Sequence, residues 1–440
     1  MADRATVAHV LRRAAFGPTA DEVDAAERVG LAATVDALVA PATPDAGAAA
    51  TPPPRLGPDP FHTLGGKRSR EDRQKANHAR RDQITTTIAW WVDRMVAAEH
   101  QLAEKLVFFW HGHWATSVQK VKSAQLMLRQ QQTFRDLGHG DFGALAAAMV
   151  RDPALIIWLD GQKNTRRAPN ENLARELMEL FTLGIGHYAE TDVKETARAL
   201  TGWTVDRVTG TVRFVERRHD HGTKTILGQT GSYDAESLAA LLVRQPANAP
   251  FLAGRFWFRF ASGEPMPAAA TARLVTAYGA NRDVTALLRA LFTDPMFPAT
   301  KGQLVKQPVE WTVGAMRQLG VRPSALTEQQ RKQVLAGLNG LDQVPLKPPS
   351  VGGWPADAAW LTTSALQVRM RVAELLAARA ATPVVDKLAA APKSGRADAL
   401  ARLLVIDAWT ERTRAVLDAA APQPRRLLSL GLVSPEYTVL

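Results

Sequence analysis

The 440-residue sequence contains no cysteine. That single absence excludes disulfides, thiolate zinc sites, iron–sulfur clusters and a cysteine nucleophile. Any chemistry must rest on histidine, carboxylate or hydroxyl groups. Long hydrophobic runs are also missing: blocks such as ALAAAMV and FLAGRFWFRF are short or interrupted by Arg or Gly, below the ~18 apolar residues a membrane span requires. No transmembrane segment is expected. The opening MADRATVAHVLRRAAFG holds neither an apolar signal core nor a twin-arginine run leading into one, so the chain as written reads as cytoplasmic, with export alongside a partner as the other route. The phosphate-cradling G-x-x-x-x-G-K-S/T loop, G-x-G-x-x-G after a strand and the G-x-S-x-G elbow are absent, which disfavours nucleotide-driven and α/β-hydrolase chemistry. Helix-turn-helix, RRM and zinc-finger patterns do not stand out either, so there is no specific nucleic-acid motif.

What is present is ordinary globular composition, 46% hydrophobic and 22% charged, with Lys+Arg 54 against Asp+Glu 43. The resulting +11 admits a polyanion or an acidic surface as partner without choosing between them. Length allows up to three domains. The patterning instead predicts a mainly α protein: one large multi-helix domain over 1–440, a Pro/Ala-rich loop or linker at 41–60 without packed structure, and a small β-hairpin insert around 203–230. Two short helices open the chain, the second starting at Thr19-Ala20-Asp21-Glu22 after the Gly17-Pro18 break. The stretch 67–81 carries seven Lys/Arg against two acids, either a grip for an anionic polymer or a solvated helix face. In ALAAAMVRDPAL, ALLRALFTDPMF and RLLSLGLVSPEY an apolar helix ends at Asp/Ser-Pro, with the following apolar or aromatic side chain placed to tuck under the core.

Three constellations could carry chemistry. On a helix turning about 100° per residue, Glu171, Asn172, Arg175, Glu176 and Glu179 all fall within about 140° of one another, opposite an apolar face. They could be an outer face tied by Glu171–Arg175 and Arg175–Glu179 pairs. Alternatively Glu176 and Glu179 form a catalytic acid/base pair facing a cleft, with Arg175 holding an anion or tuning them. Asp192-x-x-Glu195 reads as a capping box opening the next helix. Trp110-His111-Gly112-His113-Trp114 sets two histidines that converge only if Gly112 ends the helix, and His219-Asp220-His221 spaces two more for one strand face. Four of the ten histidines lie in these two motifs. His111, His113, His219 and His221 are therefore candidate metal ligands, and a divalent metal is the cofactor that such a Cys-free set would take. Eleven Trp against four Tyr should mostly be core, although some could line a cleft and stack on rings.

The blocks HVLRRAAFGPTADEVDA, EKLVFFWHGHWATS, PNENLARELMELFTLGIGHYAETDVKETARALTGW, HDHGTKTILGQTG, VKQPVEWTVGAMRQLG, PPSVGGWPADAAWL and LVSPEY, in that order over about 7–438, resemble the bacterial domain-of-unknown-function family numbered 1800. Gly112 and Trp114 stand where that family commonly has Asn and Phe, and Leu-Asp-Gln precedes PPSVGGW where Gly-Gln is usual. The resemblance implies a largely helical protein from a family often exported with a twin-arginine leader and encoded beside a second family similar to sulfatases, a candidate partner. It supplies no catalytic residues.

Two functions are expected from this reading. One is a metal-dependent or carboxylate acid/base enzyme, a hydrolase or oxidoreductase acting on an anionic or sugar-like substrate. It would use a cleft between the 170–183 helix, the WHGHW segment and the HDH hairpin, with Glu176, Glu179 and Arg175 catalytic and Asn170, Asn172, Lys224 and Trp203 binding substrate. The other is a non-catalytic binding or assembly protein engaging an anionic polymer or acidic partner through its basic surface.

Overall fold

The computed structural model describes residues 3–61, 64 and 69–440. Twenty-four α-helices order the chain among these residues, with two separate two-stranded antiparallel sheets. The mainly α class therefore holds. The β insert is two hairpins rather than one: β1 (Trp203–Val205) pairs with β2 (Val212–Phe214), and β3 (Lys224–Ile226) with β4 (Gln229–Gly231). The connector between them carries His219, Asp220 and His221. No helix among the described residues is long and apolar enough to cross a membrane.

Local chemistry sets the helix boundaries where the sequence marks them. Thr19 caps the Ala20–Val29 helix in a capping box with Glu22, and Ser69 does the same with Asp72 for the 28-residue helix Arg70–Ala97. The Asp/Ser-Pro breaks are helix starts as much as helix ends. Asp152 accepts from Leu155 N at 2.8 Å and Ser434 from Tyr437 N at 3.1 Å, each with proline at the first helical position, where its missing N–H leaves nothing unsatisfied. Leu155, Phe297 and Tyr437, which follow the three prolines, are buried.

One hydrophobic cluster runs from Val10 to Tyr437. At its centre the Gln101–His113 helix is buried along almost its whole length, surrounded by Trp91, Phe142, Phe181, Phe256 and Phe260. A helix buried on nearly every side is a core helix, and this one, through His113, forms the floor of the cleft described below. Its buried Lys105 and Glu104 are held by ion pairs to Glu310 and to Arg94 and Arg135.

The Pro/Ala-rich 41–60 segment, expected as a loop or linker without packed structure, has little regular structure beyond Ala46–Ala49 but does pack. It is strapped along the Arg70–Ala97 helix: Trp90 Nε1 donates to Thr51 O at 3.0 Å, Gln83 Nε2 to Leu56 O at 2.7 Å, and Arg80 pairs with buried Asp59 at 2.7 Å. Asp45 caps Ala46–Ala49 and also accepts from Glu99 N and His100 N. Backbone polar groups without ladder partners find them on a neighbouring helix's side chains, a contact invisible to composition.

The chain also makes one very close backbone approach at the end of the core helix. Gly353, at φ +85°, lies so near Gly112 that a Cβ would stand 2.6 Å from Gly112 O, whereas a Cβ on Gly112 would meet nothing within 4 Å. Gly353→Ala is therefore expected to destabilise by about 2–4 kcal/mol, combining left-handed strain with a clash against backbone. Gly112→Ala is expected to be neutral or stabilising by up to about 1 kcal/mol. Urea unfolding of the two variants checks this, and equal effects at both positions would contradict it.

Candidate functional site

The helix carrying the acidic motif is α-helical only over Asn172–Glu176 and then widens into a π-helix over Leu177–Thr182. Leu183 N reaches back to Met178 O at 2.9 Å, and the Thr182 hydroxyl donates to Leu177 O at 2.6 Å. The carbonyls at the widened end are taken by side chains from two other helices. His113 Nε2 lies 3.0 Å from Phe181 O, and Asn248 Nδ2 donates to Thr182 O at 2.8 Å, with Tyr278 Oη donating in turn to Asn248 Oδ1. A π-turn is uncommon and concentrates at functional sites. Here it displaces Glu179 from the row expected of an unbroken α-helix, and the Arg175–Glu179 pair does not form. Arg175 instead holds Glu171 at 3.1 Å and Glu190 at 2.7 Å. Glu179 accepts from Tyr188 Oη at 2.5 Å.

Beyond this turn a cleft of about 530 Å³ opens between the 179–187 segment, the Asn248–Phe260 helix and the Val351-Gly352 loop, with His113 in its floor. A smaller recess of about 90 Å³ shares His113, Arg255 and Gly352 and adds Trp354, Phe258 and Gly112. Its walls are largely apolar, and the polar groups are few: Glu179, His187, Arg255 and the buried His113. That proportion is the usual one for a small-molecule site.

Arg255 sets the electrostatics. It is half-buried, its Nε has no hydrogen-bond partner, and no carboxylate among the described residues pairs with it. Burial pulls its pKa below the usual guanidinium range with nothing opposing. Its neighbour one turn on, Arg259, is by contrast paired with Glu310 at 3.1 Å. The Arg255 charge and burial together push the His113 imidazole down to about 3, burial being the larger cause, so His113 is neutral and donates through Nε2 to Phe181 O. Glu176, one turn before Glu179 and half-buried, is raised above the ordinary carboxylate range by burial and by the charge of Glu179. Tyr188 is pushed up to about 12 by burial and by Glu179. Arg255 thus brings a positive group, and Glu179 a carboxylate held by the Tyr188 phenol, to the lining of one largely apolar cleft.

Of the residues singled out from sequence, Glu179 and His113 line this cleft, and Gly112 borders it. The others do not line it. Asn170 accepts from Asn172 N at 3.0 Å and closes the turn ahead of the helix. Lys224 is buried within the second hairpin, its Nζ donating to Asp220 O at 2.6 Å and Gly222 O at 3.0 Å. Trp203 packs on Phe214. His219 contacts Thr201, exposed His221 contacts Glu216, and Arg198 is clamped between Asp220 and Glu195. The HDH connector is therefore not a wall of the cleft.

The convergence of His111 and His113 fails for a definite reason: the helix runs through Gly112 to His113, which holds the two rings on different sides. His111 Nε2 accepts from Leu346 N at 3.1 Å between Trp91 and Trp354. Among the described residues no three His, Asp or Glu side chains gather in a way that could hold a metal ion, and the four-histidine ligand set has no support. The capping box also shifts. The helix starts at Glu190, and Asp192 reaches back to Ala189 N at 2.8 Å while Glu195 binds Arg198 and Thr225 N. On the basic stretch, Lys67 and Arg68 lie outside the described residues; beyond them Lys75 pairs with Glu71 and Arg80 with Asp59.

Sequence reasoning missed Arg255, Tyr188 and Phe251. FLAGRFWFRF did hold a signal, since two arginines spaced i,i+4 in an otherwise aromatic helix share one face and need either acids or a ligand.

A mainly helical protein with an apolar, arginine-bearing cleft is thus defined. The family described as Protein of unknown function (DUF1800) matches residues 9–439, and the chain belongs to it. No curated protein and no solved structure matches the chain.

Proposed function

We propose that the cleft binds a small organic anion with an apolar or ring-shaped body, and that the chain acts on it as a carboxylate acid/base enzyme. The observation that carries this reading is Arg255, a half-buried guanidinium in a cleft wall with which no carboxylate among the described residues pairs. A buried charge without a partner is strongly unfavourable, and an anionic ligand supplies the partner. Phe251, Leu183 and Trp354 would cover the apolar body. Glu179, oriented by the Tyr188 phenol, lines the same cleft and acts as general base. Glu176, whose pKa is raised, is the group that would relay or hold a proton beside it. The anionic substrate expected from sequence is thereby referred to Arg255 rather than to Arg175 or Lys224, whose bonds are already made within the protein.

Benzoate, glucuronate and phenyl phosphate serve as probes. At least one is expected to raise the melting temperature of the protein, and Arg255→Gln is expected to weaken its binding about 10- to 100-fold, the worth of a charged hydrogen bond. Release of 4-nitrophenol from its phosphate, sulfate and glucuronide then tests chemistry, with Glu179→Gln expected to retain binding and lose about 10²-fold or more in rate. Identical binding by wild type and Arg255→Gln would overturn the assignment of the anion site, and full activity in Glu179→Gln would overturn the acid/base role.

A further inference from the structure

A second cavity, independent of the cleft above, lies against the VKQPVEW segment. Residues 304–306 run antiparallel to 438–440, with Val305 bridged to Val439, Lys306 N donating to Thr438 O at 2.8 Å and Leu440 N to Leu304 O at 2.7 Å. This pairing holds the Lys306 side chain across the face of Tyr437, its Nζ 3.3 Å from the ring centroid. Lys306 is buried, yet it lines a cavity of about 290 Å³. No hydrogen-bond acceptor and no carboxylate among the described residues contacts its Nζ. The other buried lysines differ: Lys105 is bound by Glu310, Arg13 O and Ala15 O, and Lys224 by two carbonyls. An amine left free beside a cavity is the arrangement an amine nucleophile needs.

The surroundings disfavour its charged form. Burial acts first, followed by the nearby cations Arg12 and Lys105. Glu310 acts in the opposite sense but is already held by Lys105 at 2.7 Å and Arg259 at 3.1 Å, and the Tyr437 ring face would also favour the ammonium. The balance leaves the Lys306 pKa well below the ordinary lysine value. At the mouth, Arg12 and Lys301 flank the cavity and share the single carboxylate of Asp407, while Glu436 is occupied by Thr410 and Thr413. Two cations share the one Asp407 carboxylate there, and the exposed Lys301 keeps N–H groups with which to meet an anion.

We propose that Lys306 is a nucleophilic lysine that forms an imine with a small aldehyde or ketone carrying a negatively charged group. The lone pair on Nζ attacks the carbonyl carbon, giving a carbinolamine. The carbonyl oxygen then departs as water with the two hydrogens of the amine, and the C=N bond replaces C=O. No oxidant or reductant enters the step.

The test uses the full chain and glyoxylate, with sodium cyanoborohydride added to trap any imine as a secondary amine, followed by peptide mapping. At pH 7 Lys306 is expected to be modified at least about tenfold faster than exposed Lys75, since an ordinary lysine is almost wholly protonated there. Between pH 7 and 9 the rate at an ordinary exposed lysine rises about tenfold per unit, and the Lys306 rate should rise less steeply. Propanal, uncharged and of similar size, should react at Lys306 about tenfold more slowly than glyoxylate. Lys306→Arg should abolish the fast phase; if that variant does not fold, the pH profile and site mapping of the unaltered chain decide the matter. Labelling at Lys306 no faster than at Lys75, or with the same pH dependence, overturns the nucleophile. Equal rates with propanal and glyoxylate overturn the anionic carbonyl.

Discussion

Glu310→Ala is expected to lower the stability of the folded protein by about 3–5 kcal/mol, the range found when one partner of a buried ion pair is removed. Glu310 is 3% exposed on the Pro308–Gln318 helix. It meets Lys105 at 2.7 Å from the core helix and Arg259 at 3.1 Å from the Asn248–Phe260 helix. Lys105 also donates to Arg13 O at 2.6 Å and Ala15 O at 2.9 Å, closing the end of the Arg4–Ala14 helix. One carboxylate therefore balances two buried cations that join four segments. Without it Lys105, whose pKa burial already pulls down to about 8, and Arg259 keep their desolvation and lose their compensation. Glu310→Ala combined with Lys105→Met should be less destabilised than the sum of the single variants, because the pair fails as a unit. The pH dependence has a definite sign. The two cations and the Gln307 N–H hold Glu310 down to about 2 against the opposing effect of burial, so its contribution is complete above the unfolded value near 4.5 and disappears as pH falls through about 2. Urea unfolding of the three variants at pH 7 measures the effect, and a loss below about 1 kcal/mol for Glu310→Ala would show that the cluster relaxes without its acid.

Helical periodicity and cap chemistry are local, and they were legible. The Thr19 start, the Asp/Ser-Pro breaks and the β insert depend on neighbours within a few residues. The cleft depends on long-range placement and was legible only in part. PNENLARELMELF pointed to Glu179, but a wheel of fixed pitch cannot represent a π-turn, whose stability here comes from His113 and Asn248 on distant helices. The same limit explains the histidines. Gly112 suggested a helix exit, since glycine weakens helices, yet the helix runs through it and the position has room for a side chain, while the glycine required by close packing is Gly353 on the Gly112 carbonyl. Arg255 could not be weighed from sequence because the informative feature is the acid that is missing around it, a property of three dimensions. Lys306 was hidden in the same way, as one lysine among many until its lack of a partner became visible.

Acid is expected to unfold this protein steeply between pH 6 and 4. His9, His111 and His113 are all buried and each is held down to about 3, with desolvation the first cause in every case. Arg13, Arg12 and Lys301 add to it at His9, and Arg255 at His113. His111 has no charged neighbour in play; a proton on its Nε2 would face the Leu346 N–H that now donates to it. In the unfolded chain these rings titrate near 6.5. Between about 3 and 6.5 the unfolded state therefore binds more protons than the folded one, and stability falls as pH falls, by up to about 1.4 kcal/mol per unit for each ring. Asp152 acts in the opposite direction. Burial raises it to about 6 despite bonds from Leu155 N and Gln130, so from pH 6 to about 3.8 the folded state takes up the proton and gains about 1.4 kcal/mol per unit. Three rings against one carboxyl leave a net loss on the order of 7 kcal/mol between pH 7 and pH 4, comparable to the whole stability of an ordinary domain. Carboxylates held low, Glu310 among them, join only below about 4.5. Urea unfolding at half-unit intervals should give a slope of about 3 kcal/mol per pH unit near pH 5. His111→Gln, which keeps an acceptor for Leu346 N without the titration, should reduce that slope by about 1.4 kcal/mol per unit even though its stability at pH 7 is lower. Stability at pH 4.5 within about 1 kcal/mol of that at pH 7 would mean that the rings reach water in the folded state, and with it that the floor of the cleft is open.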